Sequence, residues 1–333
     1  MDRMKKFILD DINFSILIGL TICAIVLSGI FIGDKMFSIA NIQAMAYQIP
    51  EFGFLCLAMM LSNLIGGIDL SIISGANAIS IFTAYVLNGQ WSFGTTGIVR
   101  IILAIVVAIL AGICFGLFNG FLISRTSAPS LIATLGTMTL YRGIGMALTG
   151  GRSIGNIIPE FSYIGKARLL GIPIIFWIFI IVALLLGFVL SKTTYGRKLY
   201  LYGGNPVASR FSAIHNERMC RSVFLLTGVF AAIAGIIVLS RVNSAKVGYG
   251  ESYLLQTMIV CVIGGIHPNG GRGTVKGVLM AIILMQIMSS AFTIMSLSPY
   301  TKKLIWGAML ILVLGMNYFI NKMYAKYRNK GRY

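Results

Sequence analysis

The sequence predicts an all-α, polytopic membrane protein of about ten transmembrane helices. Three observations carry that prediction. Of 333 residues, 57% are hydrophobic and 11% charged, with a mean hydropathy of +0.89, whereas soluble domains carry about a quarter charged residues. Apolar runs of roughly 20 residues, the length a helix needs to cross a bilayer, recur from one end of the chain to the other. The 27 Lys and Arg lie in short segments between these runs and build no folded basic domain, so the net charge of +18 reports membrane topology and not nucleic-acid binding.

The first run, Ile12 to Ile32, follows Arg3, Lys5 and Lys6. It is longer than the apolar core of a signal peptide and has no small-residue cleavage site, so it reads as a retained span. Further runs follow at 39–65, 68–88, 98–123, 130–148, 172–190, 222–240, 253–266, 277–298 and 304–320. The run 39–65 is overlong and interrupted by Pro50 and Glu51, and 253–266 is short for a full crossing. With both termini in the cytoplasm, ten crossings place segments 1–11, 124–129, 191–221, 267–276 and 321–333 inside, where they hold 17 of the 27 basic residues. The loop 150–171 runs against this bias, lying outside yet carrying Arg152, Lys166 and Arg168. Five spans in each half would have opposite orientations, the arithmetic of an inverted repeat, although no clear sequence repeat accompanies it.

The chain offers little chemistry of its own, and no catalytic group, cofactor or metal is expected. Of nine acidic residues only Glu51, Asp69 and Glu251 lie near the membrane, and His215 and His267 both fall in cytoplasmic loops, which leaves no proton relay. Cys23, Cys56, Cys114 and Cys261 lie in apolar stretches and Cys220 in a basic loop, without the spacing of a disulfide framework or a zinc site. No GxxxxGK[ST] phosphate loop occurs, so ATP would have to act through a partner.

Four positions stand out. Gly66 and Gly67 allow a tight turn in which Asp69 caps the next helix; alternatively Asp69 lies at the inner mouth of a pathway or pairs with a basic residue such as Arg125. Arg142 sits about halfway along its span, where an Arg seldom faces lipid: it either packs helices as a hydrogen-bond donor or lines a pathway. Gly264 to Gly273 shape a cytoplasmic turn. In the loop 191–221, Asn205 suits an N-cap and Pro206 a first helical position, with Val207, Phe211 and Ile214 on one face. The resulting short amphipathic helix either lies on lipid headgroups or docks on a cytoplasmic subunit.

The segment TTYGRKLYLYGGNPVASRFSAI at 193–214 resembles the cytoplasmic coupling region of the permeases of ribose-type ABC importers, which carry monosaccharide-like or autoinducer-2-like solutes. GGIDLSIISGANAIS (66–80), PSLIATLGTMTLYRGIGMALTGG (129–151) and IGGIHPNGGRGTVKGVLMAIILMQIM (263–288) resemble the same family in the same order. The resemblance implies a single permease domain over 1–333, with a coupling loop at 191–221 and a basic cytoplasmic tail at 321–333, in a bacterial plasma membrane. It also implies an ABC ATPase subunit below, an extracytoplasmic sugar-binding protein above and a second copy or related permease alongside. It makes Gly203, Gly204, Asn205, Pro206, Ala208, Arg210, Phe211, Ser212 and Ile214 the ATPase-coupling segment, and Asp69, Arg142, Tyr253 and Gln256 pathway or gate residues. The chain departs from the family pattern at Tyr253-Leu254-Leu255-Gln256, where relatives commonly have Tyr-Glu-Leu-Asp. An ion-coupled secondary carrier for small polar solutes is the competing class, and the scarcity of intramembrane carboxylates argues against it.

Overall fold

A computed structural model describes residues 12–91, 94–126 and 128–330, with side chains from Phe14 to Gly315 apart from the gaps at 92–93 and 127. The basic N-terminal segment 1–11 lies outside the described residues, as do the side chains of the basic tail 321–333. Each of the ten apolar runs meets a helix: α1 (Ile12–Ile32), α3 (Ile39–Leu64), α4 (Ile72–Leu87), α5 (Gly97–Thr126), α6 (Ser130–Thr149), α8 (Ile174–Lys192), α11 (Asn216–Val242), α12 (Tyr253–Ile263), α13 (Val275–Ile294) and α14 (Pro299–Lys330). Shorter helices connect them: α2 (Asp34–Phe37), α7 (Pro159–Lys166), α9 (Thr194–Gly204) and α10 (Pro206–Phe211), with a two-residue hairpin of β1 (Arg168–Leu169) and β2 (Ile172–Pro173). Seven helices among the described residues are long and apolar enough to cross a membrane. The chain is therefore an all-α, multi-pass membrane protein.

Helices α3 and α11 form the centre, and α11 packs against α3, α4 and α5. Every residue of α3 from Pro50 to Leu64 is buried. Phe54 sits edge-on to Phe179 of α8 at 5.4 Å, and Gly53 makes room for that same ring. Small residues bring α5 and α11 together: Ala104, Ala108, Gly112, Gly116 and Gly120 recur every fourth residue along the buried face of α5. A Cβ on Gly116 would stand 2.3 Å from the Phe224 carbonyl oxygen, so the two backbones are in direct contact, as small-residue interfaces between membrane helices allow. The opposite faces of α1, α5, α6 and α8 expose Ile, Leu and Phe broadly, which in a bilayer is the lipid contact.

Two long helices end in non-helical segments that lead into short ones. Helix α3 gives way to residues 65–71 and then to the 16-residue α4; α11 gives way to 243–252 and then to the 11-residue α12. At 1.5 Å per residue, α12 spans roughly 16 Å, about half a hydrocarbon core, so it begins inside the bundle. Irregular backbone at such depth needs hydrogen-bond partners from protein. In 65–71 these come from α6: Ser130 Oγ accepts from Ile68 N–H at 3.0 Å and Thr134 Oγ1 from Leu70 N–H at 3.2 Å.

Candidate functional site: a glycine junction and a part-open cavity with a charged rim

At one end of the bundle, three segments that are far apart in sequence meet backbone to backbone. Gly271 N–H donates to the Leu64 carbonyl at 2.8 Å, and Tyr200 OH donates to the Gly273 carbonyl at 2.8 Å. A Cβ on Gly203 would lie 1.9 Å from Leu64 O, and one on Gly271 2.4 Å from the Gly204 Cα. Gly66, Gly270 and Gly271 also hold positive φ angles of 75°, 82° and 73°, which only glycine adopts cheaply. Gly66, Gly203, Gly204, Gly270 and Gly271 are thus one interlocked contact among the end of α3, the end of α9 and the turn before α13.

Helix α10 projects from this junction. Asn205 caps it, its Oδ1 accepting from the N–H groups of Val207 and Ala208 at 3.0 Å each, with Pro206 at the first position. Ser209 is buried beneath it and donates to Asn216 Oδ1 at 2.7 Å, while Asn216 Nδ2 returns a bond to the Pro206 carbonyl. Ala208, Arg210 and Ser212 are exposed, and Phe211 is 87% exposed. The expected apolar face is shorter than the sequence suggested: the helix stops at Phe211, Ala213 turns back with φ 57°, and Ile214 is buried. Helix α11 begins at Asn216, so Cys220 lies buried in a helix and not in a basic loop. Burial, with Cys220 as a close neighbour, pushes the Tyr202 phenol up to about 12.

Asp69 is 1% exposed. Its Oδ1 accepts from Ser71 N–H at 3.0 Å and Ser71 Oγ at 2.7 Å, and its Oδ2 from Thr227 Oγ1 of α11 at 3.0 Å. The N-cap of α4 is Ser71, not Asp69, so Asp69 stabilises the approach to the helix by an Asx-type turn. The pairing with Arg125 does not occur: Arg125 is exposed at the end of α5, and among the described residues no cation forms an ion pair with Asp69. Asn119 Nδ2 donates to Ser71 Oγ at 2.8 Å, and Tyr141 OH reaches Asn119 Oδ1 at 3.4 Å, which extends the polar chain to α6.

Tyr141 also forms part of the wall of a cavity of about 190 Å³. Ser74 and Asn77 of α4, Arg142 of α6, and Gly248 and Glu251 of the segment before α12 complete its polar lining. Arg142 pairs with Glu251 at 3.1 Å, and Lys303 stands 4.0 Å from the other Glu251 oxygen. Leu254 lines the same cavity; Tyr253 and Gln256 do not. Tyr253 instead belongs to a cluster missed in the sequence, where Arg241 grips the fully buried Glu51 through Nε and Nη2 at 2.9 Å each, Tyr253 OH donates to Glu51 Oε1 at 2.7 Å, and Arg241 donates to Tyr249 OH at 3.1 Å. Gln256 is buried in the core.

The long apolar helices and the part-open cavity with its charged rim place the chain among multi-pass membrane proteins. Residues 41–314 match the family described as branched-chain amino acid transport system / permease component, and the chain belongs to that family. It is 32% identical to the ribose import permease protein RbsC of Haemophilus influenzae over 96% of this chain and 97% of the relative. It is also 28% identical to the L-arabinose transport system permease protein AraH of Escherichia coli, over 81% of this chain and 80% of that one, and 28% identical to the Escherichia coli autoinducer 2 import system permease protein LsrC, over 93% and 88%. No solved structure matches the chain.

Proposed function

We propose that this chain is the permease subunit of an ATP-driven importer of monosaccharide-like solutes in the bacterial plasma membrane, with both termini cytoplasmic. The observation that carries the proposal is the glycine junction: it fixes an exposed helix bearing Phe211 rigidly to the end of the central span α3. A partner ATPase closing against α10 would move that span directly, with no soft side-chain layer to absorb the motion. The relatives' names support the solute class, since two of the three are permeases for ribose and L-arabinose and match this chain over four fifths of its length or more.

The cavity is smaller than the roughly 300–1,000 Å³ of common ligand pockets, and charged side chains at its edge are half exposed. Charges at membrane depth face water or protein in preference to lipid, so this side borders a water-filled space, and a second permease copy or related permease forms its far wall and completes the pathway. A binding protein would deliver solute at the end opposite the glycine junction. Leu254 occupies the cavity wall where the family pattern has Glu, and Glu251 supplies the carboxylate in this chain. Reconstitution into proteoliposomes with the ATPase and binding protein tests the reading. Uptake of labelled monosaccharide should require ATP and ignore an uncoupler. Uptake by this chain alone, abolished by the uncoupler, would refute it.

A further inference from the structure

We propose that residues 244–252 form a hinged lid over the cavity, on its side facing away from the glycine junction. Glu251 is its latch, held on Arg142 while the cavity is closed and transferred to Lys303 as it opens. The proposal rests on the cavity being the solute pathway.

The segment is built to move as a unit. Asn243 ends α11 in a left-handed turn at φ 57°, and Gly248 and Gly250, at φ 83° and 65°, reverse the chain on either side of Tyr249. Among the described residues, one backbone bridge pairs it to another segment, Ala245 to Ile154, with hydrogen bonds of 2.8 and 2.9 Å. Side-chain contacts hold it over the cavity: Val247 rests on Gly145 of α6, Asn77 Nδ2 of α4 donates to the Tyr249 carbonyl at 3.0 Å, and Glu251 reaches Arg142. At its rear, Arg241 ties the Tyr249 hydroxyl to the buried Glu51 cluster, which gives the lid a fixed pivot.

The latch differs from that pivot in burial. Glu51 is fully buried and Arg241 mostly so, whereas the Arg142 and Glu251 side chains are 54% and 45% exposed. Water can replace either partner of an exposed pair, so the contact breaks easily. Lys303, already 4.0 Å from Glu251 on α14, keeps the carboxylate paired in the open state. Release also frees the Arg142 guanidinium, whose planar fork suits two adjacent oxygens, such as neighbouring hydroxyls of a neutral solute.

The test uses the full complex in proteoliposomes, with Ser74→Cys as a cavity probe in a background of Cys23→Ser and Cys114→Ser. A membrane-impermeant maleimide is supplied from the binding-protein side without ATP. Glu251→Gln and Arg142→Gln should each speed labelling about two- to fivefold, the range an exposed ion pair commands. The exchange Arg142→Glu with Glu251→Arg re-forms the latch but makes the contact with Lys303 repulsive, so it should label more slowly than either Gln variant, and Lys303→Gln alone should slow labelling below the original rate. Arg142→Lys keeps the pair but loses the fork: labelling should stay at the original rate while KM for the solute rises. Unchanged labelling in Glu251→Gln and Arg142→Gln, with labelling that still responds to ATP turnover, overturns the latch and spares the pathway. No labelling of Ser74→Cys under any condition, turnover included, overturns the pathway reading and the lid with it.

Discussion

The two interrupted segments, 65–71 and 243–252, solve the same problem with opposite materials. Each follows a long central helix, precedes a short one and carries a carboxylate, yet the first packs backbone to backbone through glycines, while the second, beyond one backbone bridge at Ala245, is held by side chains. Around 65–71 the glycines at 66, 203, 270 and 271 bring carbonyls and amides together with no side chain between them, and Ser130 and Thr134 cap the free amides. Around 243–252 one backbone bridge, Ala245 to Ile154, is joined by a salt bridge, the Asn77 carboxamide and the Tyr249 hydroxyl. Backbone contacts are stiff because neither partner has a rotamer to change, while ion pairs at a wet surface can exchange. The first segment suits transmission of force and the second suits gating.

The largest effect tests the pivot of the second segment. Arg241→Met strands the Glu51 carboxylate, which has no exposure, and should destabilise the protein by roughly 3–5 kcal/mol, because an unpaired buried charge costs far more than the pair contributes. Adding Glu51→Gln should recover most of the loss, since the tyrosine hydroxyls of 249 and 253 can bond a neutral amide. Thermal unfolding in detergent measures both. An additive double variant would show that the two residues do not act as a pair.

Next comes the stiffness of the first segment. Gly203→Ala places a methyl 1.9 Å from the Leu64 carbonyl oxygen, where both neighbours are backbone, and should cost about 1–3 kcal/mol by overpacking. Gly248→Ala is the matched change in the lid. Its Cβ would meet only the flexible Glu251 carboxylate, at 3.0 Å, so backbone strain of about 1–2 kcal/mol dominates. Only Gly203→Ala should also lower solute-stimulated ATP hydrolysis. Equal loss in both variants would erase the distinction between a rigid end and a releasable one.

How far the sequence showed this division follows from the range of the interactions. The spans, the Asn205 cap and the glycine turns were legible because hydropathy, capping and positive φ are local requirements. The pattern GxxxGxxxG at 112–120 was equally local and went unread, although it marks the contact of α5 with α11. Glu51 looked like a flaw in a span because its partner Arg241 is 190 residues away. Asp69 looked like a cap because Thr227 is 158 residues away. Ile214 was placed on the exposed face because Ala213, not a glycine, makes the left-handed turn that ends α10.

An effect of similar size separates the two carboxylates that 190- and 158-residue contacts support. Thr227→Val removes the hydroxyl bonded to Asp69 Oδ2 and should cost about 1.5–3 kcal/mol, the range for hydrogen bonds to charged groups. Thr227→Ser keeps the hydroxyl and should behave as the original protein does. If the valine variant unfolds at the same temperature, the carboxylate is not held by α11, and the polar chain from Tyr141 through Asn119 and Ser71 ends in the turn itself.

The smallest expected change in stability carries the greatest functional weight. Phe211 is 87% exposed at the end of α10, so Phe211→Asp loses almost no packing and should shift stability by no more than about 0.5 kcal/mol. The aspartate also falls at the C-terminal end of a six-residue helix, where the dipole effect is small and solvent-screened. If α10 is where an ATPase docks, the same variant should abolish ATP-driven uptake and weaken copurification of that subunit, because an apolar anchor at an interface has become a charge. Gly203→Ala should show the reverse pattern: a less stable permease that still binds the ATPase through an intact α10 surface but responds poorly to it. Docking and transmission are then separate steps, one read by binding and the other by coupling, and a Phe211→Asp protein that still binds and couples would place the ATPase on another surface of the same end.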